Sequence, residues 1–250
     1  MKIIEAGRQN QKVIIMLHGG GLSLWQYQAQ MGLLCENYHV VLPILDGHAG
    51  SDADFTSIED NANRLLDYID KTYGGSVFLI AGLSLGAQIL LEMLAQRKNI
   101  CQHAIIESAS VIPDRLTGSL IAPLFSMSYH LIQKKWFAKW QFHYLGMRAD
   151  LFEHYYEDTR KLSKQNLMAF TKASSLYQAK QSLKESFARV RIIVGEKESK
   201  IMLASARYLH ELLPDSHLEI KVGLAHGQYA INQPDLYVKE LLESLRLRSE

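Results

Sequence analysis

A chain of 250 residues with 48% hydrophobic and 21% charged side chains can bury enough apolar surface to fold without disulfides, and its composition is neither disordered nor fibrous. The formal net charge of +1 gives no sign of wholesale binding to nucleic acid or an acidic polymer, leaving a small neutral or weakly anionic molecule as the expected partner. One large domain, with room for an inserted lobe, is expected at this length.

The N-terminal stretch has Glu5, Arg8 and Lys12 where a signal peptide would need an apolar core, so a cytoplasmic location is the expectation. Val13 to Leu17 (VIIML) then reads as a buried strand, followed by His18-Gly19-Gly20-Gly21 and a helix from Leu22 to Cys35. Tyr38 to Leu42 is the next strand, closed by Pro43 and a loop through Asp46-Gly47-His48. A helix is predicted from Thr56 to about Tyr73, with Thr56 and Glu59 at capping-box spacing and Ile58, Ala62, Leu65, Leu66 and Ile69 on one face. Val77 to Ala81 is the third strand, Leu85 to Gln96 its helix, and His103 to Glu107 the fourth strand. Short apolar runs alternating with amphipathic segments predict successive βα units and a mostly parallel sheet. Ser76 to Ala95 carries the single charge Glu92 and imitates a membrane span in length. Its central Gly-Leu-Ser-Leu-Gly, and the change from strand-forming to helix-forming residues across it, argue instead for a buried strand and helix, and no membrane partner is expected.

Between about Ile112 and Glu185 no run resembles a buried parallel strand, and helical spacing dominates. Of the 23 aromatic residues, 13 lie between Phe125 and Phe187, including Trp136, Trp140, Tyr155 and Tyr156. The predicted organisation is therefore a core formed by 1–111 and 186–250 with a helical cap inserted at 112–185. The aromatics either form the lobe's own core or line an apolar ligand pocket beneath it. The lobe has eleven Lys or Arg against six Asp or Glu: a solvated face, or a field that steers an anionic substrate. The α/β rhythm then returns with a strand at Arg191 to Val194, a helix from Ser199 to Leu213, and a last strand at His217 to Val222. Pro234 starts a final helix whose Arg246 and Arg248 suit its C-terminal dipole. Cys35 and Cys101 read as buried free thiols rather than a disulfide.

Gly82-Leu83-Ser84-Leu85-Gly86 falls where a strand meets a helix. A serine on so sharp a turn is held in a strained backbone that glycine neighbours accommodate, and its hydroxyl is pushed out above the sheet. The helix beginning at Leu85 aims its unpaired N–H groups and positive dipole end at the same place. The His18-Gly19-Gly20-Gly21 turn ends a different strand, and in a parallel sheet both turns fall at one carboxyl edge. Its backbone can approach a substrate oxygen closely, so the N–H groups of Gly20 and Leu85 are the candidate oxyanion donors, with Gly21 in reserve. No Gly-Lys-Ser/Thr or G-x-G-x-x-G pattern supports a nucleotide site, and no H-E-x-x-H, cysteine pair or clustered carboxylate motif supports a metal. No cofactor is expected.

Strand, HGGG, GLSLG elbow, helical insertion and late acid and histidine turns together resemble the α/β-hydrolase fold family over nearly the whole chain. Asp46-Gly47-His48 with Ser51 resembles that family's D-x-x-G-H-x-x-S turn, with Ala49 at its usual second glycine position. Only a dozen residues precede the HGGG strand, so at least one N-terminal edge strand of the full fold is expected to be missing. HGGG is similar to the hormone-sensitive-lipase-type esterases, but Leu83 stands where their elbow carries Asp; the resemblance is therefore to the capped, small-molecule serine hydrolase branch. It implies a Ser84 nucleophile activated by a base after the last strand, His226 in Gly223-Leu224-Ala225-His226-Gly227. His18 and His48 become residues that tie the two turns. The triad acid is placed after the Arg191 to Val194 strand, where Gly195-Glu196-Lys197-Glu198 aligns Glu198 with the usual aspartate. Glu196 and Glu107 are its alternatives.

The implied activity is that of a cofactor-independent, cytoplasmic serine esterase acting on a small-molecule ester or related acyl bond through an acyl-enzyme. A serine nucleophile disfavours the dehalogenase and epoxide hydrolase chemistries of related folds. Carbon–carbon bond hydrolysis, a lyase reaction on the same triad, and a ligand-binding protein without turnover remain alternatives.

Overall fold

In the computed structural model, which describes residues 2–114 and 129–246, seven strands form one sheet. They are β1 (Ile3–Ala6), β2 (Val13–Leu17), β3 (His39–Pro43), β4 (Val77–Leu83), β5 (Cys101–Glu107), β6 (Arg189–Gly195) and β7 (Ser216–Lys221). Their spatial order is β1-β3-β2-β4-β5-β6-β7, with β1 antiparallel to β3 and every other pair parallel. The α/β class with a mostly parallel sheet is the one expected. The half-exposed β1 was not anticipated: its four residues, with a single neighbouring strand, are too short a run to stand out by pattern.

Alternation along the strands explains how the sheet holds two helical layers. In β2, Val13, Ile15 and Leu17 belong to one apolar cluster, and Ile14 and Met16 to the other. The first cluster is completed by α2 (Ile58–Tyr73), α3 (Leu85–Gln96) and α7 (Lys200–Leu212), the second by α1 (Gln28–Leu34), α8 (Gln228–Asn232) and α9 (Pro234–Arg246). A strand buried on both faces must be apolar at every position, which is why VIIML is continuous. The partners Leu17↔Gly82, Leu83↔Glu107 and Glu107↔Ile193 bring the carboxyl ends of β2, β4, β5 and β6 to one edge.

Two local expectations are corrected. The helix expected from Leu22 to Cys35 is broken into a 3-10 turn, Leu24–Tyr27, and α1. Buried Gln26 turns back to accept the Gly19 N–H at 2.8 Å, and Tyr27 leaves the helical region at φ −112° and ψ 10°. The cap of α2 is Ser57, whose hydroxyl accepts the Asp60 N–H at 2.9 Å, rather than Thr56 with Glu59. The buried face of α2 is the predicted one. Cys35 and Cys101 are free, and only Cys101 is fully buried.

Between β5 and β6 the described chain is helical: α4 (Lys135–Leu145), α5 (Phe152–Thr159) and α6 (Lys164–Leu176). Residues 115–128 of the expected cap, with Phe125, and Arg248 of the final helix lie outside the described residues. Phe142 and Tyr155 pack with Trp25 and Ala138 in a small cluster of their own, whereas Leu167 and Phe170 of α6 join the main core. Among the described residues, no helix is long and apolar enough to cross a membrane; Ser76 to Ala95 is β4 followed by α3.

Candidate active site

Ser84 stands between β4 and α3 with φ 53° and ψ −113°, a region side chains other than glycine rarely adopt. The residues two places before and after it must be glycines for a measurable reason. A Cβ on Gly82 would lie 2.5 Å from the Gly86 carbonyl oxygen, and one on Gly86 2.3 Å from that of Leu17. The helix therefore enters against β2 with no space for a methyl group, and Ser84 is turned out at its N-terminus. The Ser84 N–H is held by the Glu107 carbonyl at 2.8 Å, which fixes the turn to the end of β5.

The structure brings three of the predicted side chains into one hydrogen-bonded line. Ser84 Oγ is 3.0 Å from His226 Nε2, and His226 Nδ1 is 2.8 Å from Glu198 Oε2. With Nδ1–H donated to the carboxylate, Nε2 is left free to accept the serine proton. The second oxygen of Glu198 accepts the Gly195 N–H at 2.9 Å and the Ser108 hydroxyl at 2.7 Å. The Glu198 side chain is 1% exposed and that of His226 43%. Burial raises a carboxyl pKa, but here the hydrogen bonds and charge of His226, with those of Ser108 and Gly195, outweigh it and hold Glu198 below the usual carboxylate range.

The two other candidate carboxylates lie elsewhere. Glu196 accepts the Gly223 N–H at 2.8 Å. Glu107 is buried, accepts the Ala230 N–H at 3.2 Å through one oxygen, and has no partner for the other among the described residues. Burial first, and then the nearby charge of Glu198, push its pKa up to about 8, so it is mostly neutral at pH 7.

Gly20 and Leu85 border a cavity of about 310 Å³ that opens at Ser84, with Phe170, Ser110, Thr171 and Ser174 among its other walls. A Cβ on Gly20 would meet the Phe170 ring at 3.3 Å, so the turn passes close beneath α6. Of the lobe's many aromatics, Phe170 alone among the described residues lines this cavity. Of the two roles open to the lobe's aromatics, Phe142 and Tyr155 take the first, in the small core, and Phe170 the second. His18 and His48 tie the turns as expected. His18 Nδ1 donates to the Gly19 carbonyl at 2.9 Å and its Nε2 accepts the Leu45 N–H at 3.1 Å. His48 donates to the Asp46 carbonyl at 3.0 Å and stacks on Phe170 at 4.6 Å. Burial lowers both, to about 3 and about 4, so they stay neutral.

Ser108 was not anticipated. Besides donating to Glu198, it accepts the Gly227 N–H at 3.4 Å, and with φ 54° it is the only non-glycine residue other than Ser84 at positive φ among the described residues. The available signal was position: a hydroxyl directly after β5, next to the strand that leads into Ser84.

The model of the Alpha/beta hydrolase family matches residues 14–239. No curated protein matches the chain. Among solved structures, the enol-lactonase from Burkholderia xenovorans LB400 superposes with a TM-score of 0.81 at 15% identity, covering 98% of this chain and 96% of that one. MenH from S. aureus gives 0.79 at 18% identity, covering 100% and 98%, and the esterase from Exiguobacterium antarcticum 0.80 at 17%, covering 98% and 94%. At such identities the likeness speaks for the fold, and it agrees with the sheet order, the strained serine turn and the matched span: the chain belongs to the alpha/beta hydrolase family.

Proposed function

We propose that the protein is a serine hydrolase that cleaves a carboxylic ester or related acyl bond of a small molecule. The observation that carries this reading is the continuous line Ser84 Oγ, His226 Nε2, His226 Nδ1, Glu198 Oε2, with steps of 3.0 and 2.8 Å. Ser84 attacks the acyl carbonyl while His226 takes its proton, and Glu198 holds the imidazole tautomer and stabilises the imidazolium. The oxyanion forms beside the N-terminus of α3, where the Leu85 N–H and that of Gly20 receive it; such a donor contributes roughly 3 kcal/mol in the transition state. His226 then passes the proton to the leaving group. Its partial exposure lets it next deprotonate a water that attacks the acyl-enzyme and releases the acid. Ser108 acts through Glu198, holding the carboxylate ionised and fixed to the loop that bears His226.

A cavity of about 310 Å³ lies at the small end of ligand pockets, which run from about 300 to 1,000 Å³. Leu85, Phe170 and Ile201 offer apolar contact in it, Ser110 and Ser174 offer hydroxyls, Thr171 and Ser175 hydroxyls that already donate to helix carbonyls, and Asp114 a carboxylate. These walls favour a compact acyl or alcohol group of mixed polarity over a long chain. Turnover of p-nitrophenyl esters of rising chain length, beside thioesters and lactones, tests the reading. Short members are expected to be hydrolysed best, and Ser84→Ala to hydrolyse none. Equal turnover by Ser84→Ala, or no turnover of any acyl substrate by folded protein, would contradict it.

A further inference from the structure

Three of the lobe's aromatic side chains serve neither its small core nor the cavity. Trp136, Trp140 and Tyr144 are 66%, 61% and 81% exposed. They occupy positions i, i+4 and i+8 of α4 and so form one stripe along the helix. The opposite side of α4 buries Ala138 and Phe142, which anchors the helix to the lobe and keeps the stripe outward. The rings are ordered against one another: Trp140 and Tyr144 stack at 6.2 Å with a 20° interplanar angle, and Phe137 contacts Trp136 at 5.7 Å and Trp140 at 5.6 Å.

The segment that carries the stripe is itself basic. From Tyr129 to Ala149 the chain carries Lys134, Lys135, Lys139 and Arg148 and no Asp or Glu. Lys135 pairs with Glu153 and Arg148 with Asp150, each at 2.8 Å, while exposed Lys134 and Lys139 have no ion-pair partner among the described residues. Exposed apolar side chains are ordinary singly, but a contiguous aromatic row is a mark of an interaction surface. Trp and Tyr favour the boundary between water and hydrocarbon, and lysines beside such a row are attracted to anionic headgroups.

We propose that the outer face of α4 is a peripheral docking surface for an anionic phospholipid membrane, with Trp136, Trp140 and Tyr144 entering the headgroup boundary and Lys134 and Lys139 contacting the phosphates. A lipid surface suits the observations because it offers negative charge to Lys134 and Lys139 beside an exposed row of rings and requires no matching groove. The expectation of no membrane partner rested on the want of a spanning segment, which does not bear on peripheral attachment. The proposal is independent of the reaction assigned to Ser84.

Flotation of the full chain with vesicles of phosphatidylcholine plus phosphatidylserine, against phosphatidylcholine alone, tests it across a salt series. Binding to the anionic vesicles, weakened by salt and accompanied by a blue shift of tryptophan emission, is the expected result. The variant W136S/W140S/Y144S is expected to bind about tenfold or more weakly, and K134Q/K139Q also about tenfold more weakly, with ester hydrolysis in solution unchanged in both. Should the aromatic variant fail to fold, the lysine variant and the wild-type emission shift still decide. Absence of binding, equal binding to both vesicles, or undiminished binding by folded variants would overturn the proposal. So would stripe-dependent self-association in sedimentation without vesicle binding, which would assign the surface to a second copy of the chain.

Discussion

Glu107 and Glu198 lie close enough to influence each other's ionisation, yet their surroundings set opposite charges. Glu198 receives donors on both oxygens and is held below the usual range, whereas burial takes Glu107 up to about 8. Two substitutions separate them. Glu198→Gln is expected to lower kcat by about 10⁴, because the amide no longer fixes the imidazole tautomer or offsets its charge. Glu107→Gln is expected to leave kcat within a few-fold. It alters stability instead: native Glu107 keeps its proton between the ordinary pKa of 4.5 and about 8, while the unfolded chain loses it. Wild-type stability from this group is thus full below about pH 4.5 and lost as pH rises to about 8. The Tm advantage of Glu107→Gln over wild type should grow across that window in thermal melts and level off above it. Ser108→Ala removes one donor from Glu198. Its kcat is expected to fall about tenfold with KM little changed. An unchanged kcat would leave Ser108 a purely structural role.

The elbow works because β2, β4 and α3 meet with no side chain between them. Gly86→Ala puts a methyl group 2.3 Å from the backbone oxygen of Leu17 and 2.6 Å from that of His18, atoms that cannot rotate away. A loss of about 1–3 kcal/mol is expected in denaturant titration, along with a fall in kcat as Ser84 shifts. Elements of this kind were readable in advance: β2, β4 and the face of α2 announce themselves by apolar pattern, and Ser84 by its place between strand and helix. What escaped the pattern was tertiary in origin. Gln26 interrupts a helix because its amide is needed at Gly19, and Ser108 matters only once β5 and β6 set it beside Glu198. The resemblance favoured Glu198 over Glu196 and Glu107, but that its carboxylate is the one that meets His226 depends on the direction the side chain takes from the turn after β6.

Across the molecule, the lobe is tied to the core at points that also shape the site. Asn166 of α6 accepts the Phe55 N–H at 3.0 Å and donates to Asp54 at 2.9 Å, one turn from Phe170, which stacks on His48 and closes over Gly20. Asn166→Ala leaves the buried Phe55 N–H unsatisfied, at a cost of about 1–3 kcal/mol. With Phe170 less firmly held, KM is expected to rise several-fold while kcat changes little, which steady-state kinetics will show. The aromatic content of the lobe was plain from composition, but its division among a small core, one pocket wall and an exposed row on α4 depends on which way each helix turns when packed, and pattern alone left that open.

The central claim is that Ser84 is a nucleophile activated by His226 and Glu198, and covalent trapping tests it most directly. Wild-type protein incubated with a fluorophosphonate and digested is expected to carry the adduct on the peptide containing Ser84, rapidly in the wild type, much more slowly in Glu198→Gln, and not at all in Ser84→Ala. Folded wild-type protein that stays unmodified, or an adduct that persists at another residue when Ser84 is replaced, would contradict the account.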